Sequence, residues 1–289
     1  MSPSVDWTQA EAAFALLRSG DYERGWAALE AVRFGDTHFR SRKPTLSFPE
    51  WRGEPVSSLA VFGEQGLGDQ IQFARFIPDL VRRGIEVTLY AYPAVAPLFE
   101  SLGAKVVAAD GEVRIARADA WVMIGSLPLL LGVRLETLNG GAYLSVPPET
   151  RRPTLNPDLR VGVMWRGGPN NLNDAHRSMP PAAGRRLLDL PGAVSLAPED
   201  TCAKDMGHTA ALIERLDLVI SVDTSVAHLA GAMGKRTVLL LPAPPEAVDW
   251  RWLVGRRDSP WYDSIEIYRQ ARPGDWLELI ERVTAAVSV

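Results

Sequence analysis

The stretch DLVISVDTSVAHLAGAMGK, residues 217–235, places an apolar run, a short polar turn and a row of small residues in direct succession. The apolar run Leu216–Val222 has the length and the β-branched content of a buried strand. Ser225–Met233 then predicts a helix whose small side chains allow it to lie close to a sheet. Because a strand followed at once by a helix is half of a βαβ unit, this stretch predicts a parallel sheet with crossover helices.

The same alternation of short apolar runs and helical segments occurs on both sides of this stretch. Further strands are predicted at Ser57–Phe62, Glu86–Tyr90, Lys105–Ala108, Ala120–Ile124, Arg160–Trp165, Ala193–Ala197 and Arg236–Leu241. A helix is predicted from about Asp69 to Arg83, and the polar segment TRRPTLNP, Thr150–Pro157, interrupts the alternation. The sequence therefore predicts an α/β protein with two Rossmann-like domains, residues 57–150 and 151–289, that face one cleft.

The region before the first of these strands has a different pattern. Residues 1–35 predict a helical hairpin, in which apolar residues recur at helical spacing and Asp21 is placed to cap the second helix. The hairpin resembles one tetratricopeptide repeat, and the alternative is a helical cap packed on the next domain. Residues 36–56 contain three prolines and little periodicity, which predicts a linker or an extended arm.

Composition and charge limit the class of protein. The 289 residues are 46% hydrophobic and 23% charged, which is typical of a soluble globular protein. A net charge of −4 argues against general nucleic-acid binding, which needs a basic face. The single cysteine, Cys202, fits a reducing compartment. There is no signal-peptide pattern and no apolar run near the roughly 20 residues that span a bilayer, so we expect a cytoplasmic protein without a transmembrane segment.

The loop after the first predicted strand, GEQGLGDQIQFARF, is the first candidate for function. Gly63, Gly66 and Gly68 allow sharp turns and leave room for a ligand to approach. Asp69 lies where a helix begins, and Glu64 precedes it in the loop. The alternative is structural: Asp69 caps the helix and Glu64 is solvated.

The turn after Val222 is the second candidate. Asp223, Thr224 and Ser225 follow the strand, and His228 falls in the first turn of the next helix. The unpaired N–H groups and the dipole at such a helix start favour an anion such as a diphosphate, and the two hydroxyls add donors. The alternative makes Asp223 or Thr224 a helix cap and His228 a buried histidine with its hydrogen bonds satisfied.

Two further segments carry arginine. Arg166 and Arg177, in the polar loop WRGGPNNLNDAHRSMP, are suited to neutralise phosphate through forked hydrogen bonds. The segment DWRWLVGRRDSPWY, Asp249–Tyr262, mixes tryptophan and arginine, which is typical of a stacking surface or of packing, and packing is favoured. Metal-binding patterns such as HExxH, CxxC and DxD are missing from the sequence, so no metal site is predicted.

These segments, in this order, resemble the glycosyltransferase domain often found behind tetratricopeptide repeats in bacteria, which is related to the ADP-heptose:lipopolysaccharide heptosyltransferases and has the GT-B fold. The resemblance implies that residues 57–150 bind the acceptor and residues 151–289 bind a nucleotide sugar. It implies that Asp69, after Gly68, is the general base. The diphosphate turn of the family is matched by Asp223, Thr224 and His228, and a basic residue at the phosphate by Arg177. Ser225 and Met179 depart from the Gly and Trp that the family often has.

The expected function is therefore metal-independent, inverting transfer of a sugar from a nucleotide-sugar donor to a protein or glycan acceptor, without a cofactor. Asp69 is the expected base and Glu64 the reserve. Aromatic residues of the hairpin, Trp7, Phe14, Tyr22 and Trp26, are offered as an acceptor surface. The alternatives are a non-catalytic nucleotide-sugar-binding or scaffold protein, and a nucleotide-sugar epimerase of the same fold.

Overall fold

The computed structural model describes most of the chain, which divides into two compact units, Met1–Leu138 and Asn139–Val289. The described residues are 7–34, 42–154, 156–168, 174–244 and 248–287. Within those ranges no helix is both long and apolar enough to cross a membrane. Parts of four predicted segments lie outside the described residues: positions 1–6 and 35 of the hairpin, positions 36–41 of the linker, position 155 of the segment Thr150–Pro157 and positions 169–173 of the polar loop.

The first unit begins with the two helices of the predicted hairpin, α1 (Trp7–Arg18) and α2 (Tyr22–Arg33). Asp21 caps α2 as predicted, because its Oδ1 accepts a hydrogen bond from the backbone N–H of the third residue of that helix. The two helices cross closely at Gly25, where an added Cβ would lie 2.6 Å from Leu17 Cδ2. The likeness of this hairpin to a tetratricopeptide repeat remains a prediction.

The sheet of the first unit has four parallel strands in the order β3-β2-β1-β4. The strands are β1 (Ser58–Phe62), β2 (Glu86–Ala91), β3 (Lys105–Ala108) and β4 (Ala120–Met123). The helices between and after them are α3 (Leu67–Ala74), α4 (Ile77–Arg82), α5 (Ala96–Phe99) and α6 (Leu127–Leu130). Residues 49–51, from the predicted linker, form an extended arm: Trp51 N–H donates to Trp121 O (2.7 Å) and Trp121 N–H donates to Pro49 O (2.9 Å).

The helix predicted from Asp69 to Arg83 is two helices, so that prediction is wrong in extent. The chain leaves α3 at Arg75 and starts α4 at Ile77, with Pro78 in the first turn of α4. Proline cannot donate a backbone hydrogen bond, and its ring clashes with the preceding turn of a continuous helix. The apolar periodicity continues across the break, which is why the pattern alone did not show it.

The sheet of the second unit has five parallel strands in the order β6-β5-β7-β8-β9. The strands are β5 (Val161–Met164), β6 (Ala193–Ser195), β7 (Leu218–Val222), β8 (Thr237–Leu241) and β9 (Ile265–Arg269). The helices are α7 (Asp174–Arg177), α8 (Pro181–Leu188), α9 (Pro198–Thr201), α10 (Met206–Glu214), α11 (Ser225–Ala232) and α12 (Trp276–Ala286). Two parallel sheets with intervening helices confirm the predicted α/β class.

Small residues bring the layers of the second unit close together, as the sequence predicted for α11. An added Cβ at Gly231 would lie 2.5 Å from the ring of Tyr262, and one at Gly162 would lie 2.6 Å from Leu216 Cδ1. All five residues of β7 are buried, as expected for a parallel strand that is covered on both faces.

The boundary between the units differs from the predicted one at 150/151. The N–H groups of Tyr143 and Leu144 both donate to Ala232 O, at 2.9 and 3.0 Å, so this segment belongs with the second unit. Residues 139–150 form neither a strand nor a helix and therefore gave no periodic signal.

Candidate functional site

Each sheet has a topological switch point, where the strand order reverses and where ligands bind at the carboxyl ends of the strands in open α/β folds. In the first sheet it lies between β1 and β4, and in the second between β5 and β7. The loops after these four strands include the predicted glycine loop and the predicted anion turn. Each unit therefore has one candidate site.

In the first unit, Glu64 follows β1 and is buried, with its side chain 3% exposed. Its Oε1 accepts a hydrogen bond from the backbone N–H of Gly125, in the turn after β4 (3.1 Å), and lies 2.9 Å from Arg33 Nη1. The expectation that Glu64 is solvated is therefore wrong. A buried carboxylate held by a guanidinium is poorly placed to take a proton from a substrate, which leaves Asp69 as the better candidate for a base.

Asp69 lies in the first turn of α3 and is half-buried. Its Oδ2 accepts a hydrogen bond from the backbone N–H of Gly66 (2.8 Å), so the structural capping role expected as the alternative is present. Gly66 permits this approach, since a Cβ there would lie 3.0 Å from Oδ2. Gly63 lies against Gln70 Oε1, where a Cβ would come within 2.5 Å. Gly68 was predicted in the loop, but it is the second residue of α3.

Tyr92, one residue beyond β2, is a member of this group that sequence reasoning missed. Burial raises the pKa of its phenol above the ordinary 10.0, and the carboxylates of Glu64, Asp69 and Asp110 raise it further. The phenol therefore remains a hydrogen-bond donor near the predicted base at neutral pH. Tyrosine at the end of a strand has many structural uses, so the sequence gave no specific signal for it.

In the second unit, Arg177 joins the two loops of the switch point. Its Nη1 donates to Asp223 O, at the end of β7 (2.7 Å), and its Nε donates to Asp174 Oδ1 (3.2 Å). Gly167 leaves the space for this arrangement, because a Cβ there would lie 2.5 Å from Arg177 Nη2. The structure thus brings the predicted Arg177 and Asp223 together.

Arg166 takes a different position. Its guanidinium pairs with Glu199 on α9 and lies over the ring of Trp165, 5.2 Å from the centroid. Its side chain is 42% exposed and that of Glu199 is 50% exposed. The guanidinium of Arg166 is therefore engaged with α9, whereas that of Arg177 contacts Asp223 itself, so Arg177 is the better candidate for binding an anion at the turn.

The turn between β7 and α11 contains the other predicted residues. Thr224 is the N-cap of α11, but its side chain makes no capping hydrogen bond; its Oγ1 lies 3.1 Å from Ser221 Oγ. Ser225, the first residue of α11, is half-buried. The first backbone N–H groups of a helix have no partner within the helix, so they are available to an anion.

His228 fits the structural alternative in its local contacts. It is buried, its Nδ1 lies 2.8 Å from the hydroxyl of Tyr262, and its ring lies 5.1 Å from that of Trp252. Its Nε2 lies 3.9 Å from Asp223 Oδ1, on the side of the turn. The histidine is thus held by Tyr262 with its second nitrogen directed to the proposed site.

The carboxyl of Asp223 has a raised pKa of about 6. Burial is the main cause, the carboxylate of Asp249 adds to it, and the guanidinium groups of Arg177 and Arg251 oppose it. Asp249 and Arg251 belong to the segment for which packing was favoured. They pair with each other (2.7 Å), so this segment contributes charges near the turn as well as buried aromatic rings.

Among the residues that the structure describes, no group of three or more His, Cys, Asp or Glu side chains is arranged to hold a metal ion. Positive charge near the turn comes from Arg177 and Arg251.

Comparison with known proteins finds similarity to a family model in part of the chain. The model of the family Glycosyltransferase family 9 (heptosyltransferase) matches residues 193–270, from β6 to just beyond β9, which include the turn at Asp223–His228. Protein FlbA of Caulobacter vibrioides is 28% identical over 325 residues, which cover 94% of this chain and 53% of that protein. The chain thus spans about half the length of this relative.

Two solved structures extend the comparison to most of the chain. The glycosyl transferase family 9 protein from Veillonella parvula has a TM-score of 0.52 at 12% identity, over 80% of this chain and 90% of that one. The ADP-heptose lps heptosyltransferase II of E. coli has a TM-score of 0.47 at 14% identity, over 79% and 98%. The protein therefore has an α/β fold similar to that of the Veillonella protein, and its residues 193–270 are similar to the glycosyltransferase family 9 (heptosyltransferase) model.

Proposed function

We propose that this protein is a metal-independent glycosyltransferase that moves a sugar from a nucleotide-sugar donor to a hydroxyl of a protein or glycan acceptor, with inversion at the anomeric carbon. The observation that carries the proposal is the turn at Asp223–His228. It lies inside the segment that matches a glycosyltransferase family, at the switch point of the second sheet, with Arg177 bound to it.

The second unit provides the donor site in this proposal. A diphosphate at the start of α11 would accept hydrogen bonds from backbone N–H groups and from the hydroxyls of Thr224 and Ser225. Arg177 is fixed at both ends of its guanidinium, so it supplies positive charge without reorganisation. Such fixed donors stabilise the charge of the leaving nucleotide in the way that a metal ion does in other enzymes.

The first unit provides the base. Asp69 is half-buried and its carboxylate is oriented by Gly66 N–H, while the protonated phenol of Tyr92 lies near it. A carboxylate so placed can take the proton of an acceptor hydroxyl as that oxygen attacks the anomeric carbon, and a single displacement inverts the configuration. General base catalysis of this kind contributes about 10²–10⁴-fold.

The structure of the hairpin gives less support to a peptide acceptor than the aromatic residues in its sequence suggested. Tyr22 and Trp26 are buried, at 1% and 3% exposure, and Phe14 is half-buried; the side chain of Trp7 lies outside the described residues. Two of the four aromatic groups are thus used in packing and are not exposed to a peptide. The acceptor is proposed from the reaction class as a hydroxyl of a protein or a glycan.

The test is calorimetric titration with UDP-, GDP-, ADP- and CMP-sugars in the presence of EDTA. The wild type should bind at least one of them, and Arg177→Ala should weaken that binding by about 1–3 kcal/mol, the cost of a lost charge-assisted contact. Arg186→Ala, at an exposed position on α8, is the matched control and should bind as the wild type does.

Equal affinity of Arg177→Ala and wild type would place the nucleotide elsewhere. Donor binding without hydrolysis or transfer would favour the non-catalytic alternative. Activity that EDTA abolishes and magnesium restores would contradict the metal-free mechanism.

A further inference from the structure

The helical hairpin is part of the first unit and not an appended module. The indole N–H of Trp26 donates to Val133 O (3.0 Å), and Trp26 and Tyr22 are buried with their rings 5.1 Å apart. α2 packs against α6, the helix that follows β4. The last turn of α2 therefore lies beside the switch point of the first sheet.

Arg33, in that last turn, is 1% exposed and has its guanidinium bound on several sides. Its Nη1 lies 2.9 Å from Glu64 Oε1, and its Nη2 donates to Glu30 Oε2 (2.9 Å) and to Ser126 Oγ (2.5 Å). A planar guanidinium can hold several acceptors in fixed directions at once, whereas a lysine ammonium cannot reproduce this fork.

The guanidinium fills the switch point of the first sheet. Its partners Glu64 and Ser126 lie in the turns after β1 and β4, the two strands on either side of the reversal. Gly125 makes the necessary space, because a Cβ there would lie 2.1 Å from Arg33 Nη1 and 2.7 Å from Glu64 Oε1. At a position where open α/β sheets commonly bind a ligand, this unit has inserted one of its own side chains.

The ion pair between Arg33 and Glu64 also holds the start of the glycine loop. Glu64 is the second residue after β1, and the short loop from it leads to Gly66, whose N–H is bound by Asp69. With Glu64 held by Arg33 and by Gly125 N–H, the loop has one end fixed to the sheet and the other fixed to α3.

We propose that Arg33 is a positioning residue for the reaction: through Glu64 it holds the loop 63–69 in the conformation that presents the Asp69 carboxylate to the acceptor. Glu64 is then the link between Arg33 and the loop, and the hairpin is a support for the base. The catalytic part of this proposal rests on the proposed function. The contact that holds the loop in place can be tested without any substrate.

The main variant is the double substitution Arg33→Met and Glu64→Gln, which removes both charges of the buried pair; the second partner of Arg33, Glu30, is 22% exposed and keeps contact with water. Replacing a buried ion pair by neutral groups of similar volume often leaves stability unchanged, whereas Arg33→Met alone leaves a buried, uncompensated carboxylate. Arg33→Lys keeps the charge but not the fork. Arg82→Met is the matched control, because Arg82 is an exposed arginine of the same unit whose partner is Asp79.

Backbone hydrogen exchange followed by mass spectrometry is the first readout. In the folded double variant, peptides covering residues 63–69 and 124–126 should exchange faster than in the wild type, and peptides from β7 and α11 should not change. Arg33→Lys should give an intermediate result and Arg82→Met the wild-type result. If both peptides exchange at the wild-type rate in the folded double variant, the proposal that Arg33 holds the loop through Glu64 is overturned.

Kinetics with a donor identified by the calorimetric screen is the second readout. The double variant should lose about 10–100-fold in kcat, the size of effect expected for a small misplacement of a reacting group, with donor affinity unchanged. Arg33→Lys should recover part of that loss, which a purely structural role would not predict when melting temperatures are equal. Wild-type kcat in a folded double variant with a loosened loop would overturn the positioning role.

The two proposals fail in different ways. If the wild type turns over no nucleotide sugar but the double variant still loosens the loop, the glycosyltransferase proposal fails and the proposal that Arg33 holds the loop stands. If the wild type is active and the double variant is equally active, the positioning role of Arg33 fails and the proposed function stands.

Discussion

The switch points of the two sheets are built from similar parts and used differently. In the first unit the place beside β1 and β4 is filled by the guanidinium of Arg33, which is 1% exposed and bound to Glu64 and Ser126. In the second unit the place beside β5 and β7 has Arg177, which binds a backbone carbonyl of the turn and a carboxylate of its own helix. One arginine closes a crevice and the other borders a helix start.

The difference shows how the same residue type can serve stability or binding according to its partners. Arg33 is buried and lies between two carboxylates, Glu64 and Glu30, so little of its positive charge is available to a ligand. Arg177 is paired with one carboxylate, Asp174, and its Nη1 donates to the carbonyl of Asp223, which places its guanidinium beside the turn. The sequence pattern of glycine and polar residues after a strand is similar in both units.

The largest effect is expected at Asp69, the carboxylate next to the closed crevice. Asp69→Asn keeps the size of the side chain and an oxygen able to accept from Gly66 N–H, but it cannot take a proton. Transfer should fall by about 10²-fold or more, with the fold and the donor affinity preserved. Steady-state kinetics with an identified acceptor measures the loss.

Asp79→Asn, at a half-buried position on α4, serves as the control for that substitution. Wild-type turnover of Asp69→Asn would remove Asp69 from the mechanism.

The second effect concerns the open site and depends on pH. The pKa of Asp223 is raised from 3.8 to about 6 because burial and Asp249 disfavour its charged form. The folded state therefore holds the proton more tightly than the unfolded state does, so this residue favours folding at low pH. That contribution is lost as the pH rises through about 6, and it amounts to on the order of 3 kcal/mol.

Asp223→Asn removes this dependence. The variant should be more stable than the wild type at pH 7 by up to about 3 kcal/mol, and the difference should disappear near pH 4. Urea unfolding at a series of pH values measures it, with Asp189→Asn, at an exposed position of the same unit, as the control. A difference that is constant with pH would show that the ionisation of Asp223 is not coupled to folding.

Much of the fold could be predicted because its signals are local. The apolar runs of β1 to β8 and the small residues of α11 can be seen in short windows of sequence. β9 was missed because Glu266 and Arg269 interrupt its apolar pattern and it lies at the edge of the sheet. The turn at Asp223–His228 was found for the same local reason, since all its residues lie within one strand-to-helix connection.

The contacts that define the first site are not local, which is why pattern reasoning could not find them. Arg33 reaches Glu64 from a helix before the sheet, and Glu64 reaches Gly125 across 61 positions of the chain. An arginine at a helix end is usually solvated, so nothing in its neighbourhood indicated a buried pair. Only the order β3-β2-β1-β4 brings these residues together.

The smallest expected effect concerns how tightly Arg33 closes the switch point of the first sheet. Gly125→Ala adds a Cβ that would lie 2.1 Å from Arg33 Nη1, and both partners of that nitrogen are anchored, so the ion pair must shift. Overpacking of this kind typically costs about 1–3 kcal/mol. We expect the free energy of unfolding to fall by about 2 kcal/mol, as measured by urea denaturation.

Gly168→Ala is the matched control from the second unit, since a Cβ there meets no atom of the described residues within 4 Å. Its stability should match that of the wild type. If Gly125→Ala is as stable as Gly168→Ala, the guanidinium can move away at little cost, and the first switch point is then as open as the second. In that case the contrast between a closed and an open crevice is lost, because Arg33 would be a displaceable side chain in a site that still admits a ligand. A clear loss of stability in Gly125→Ala, with Gly168→Ala unchanged, keeps the two sites distinct.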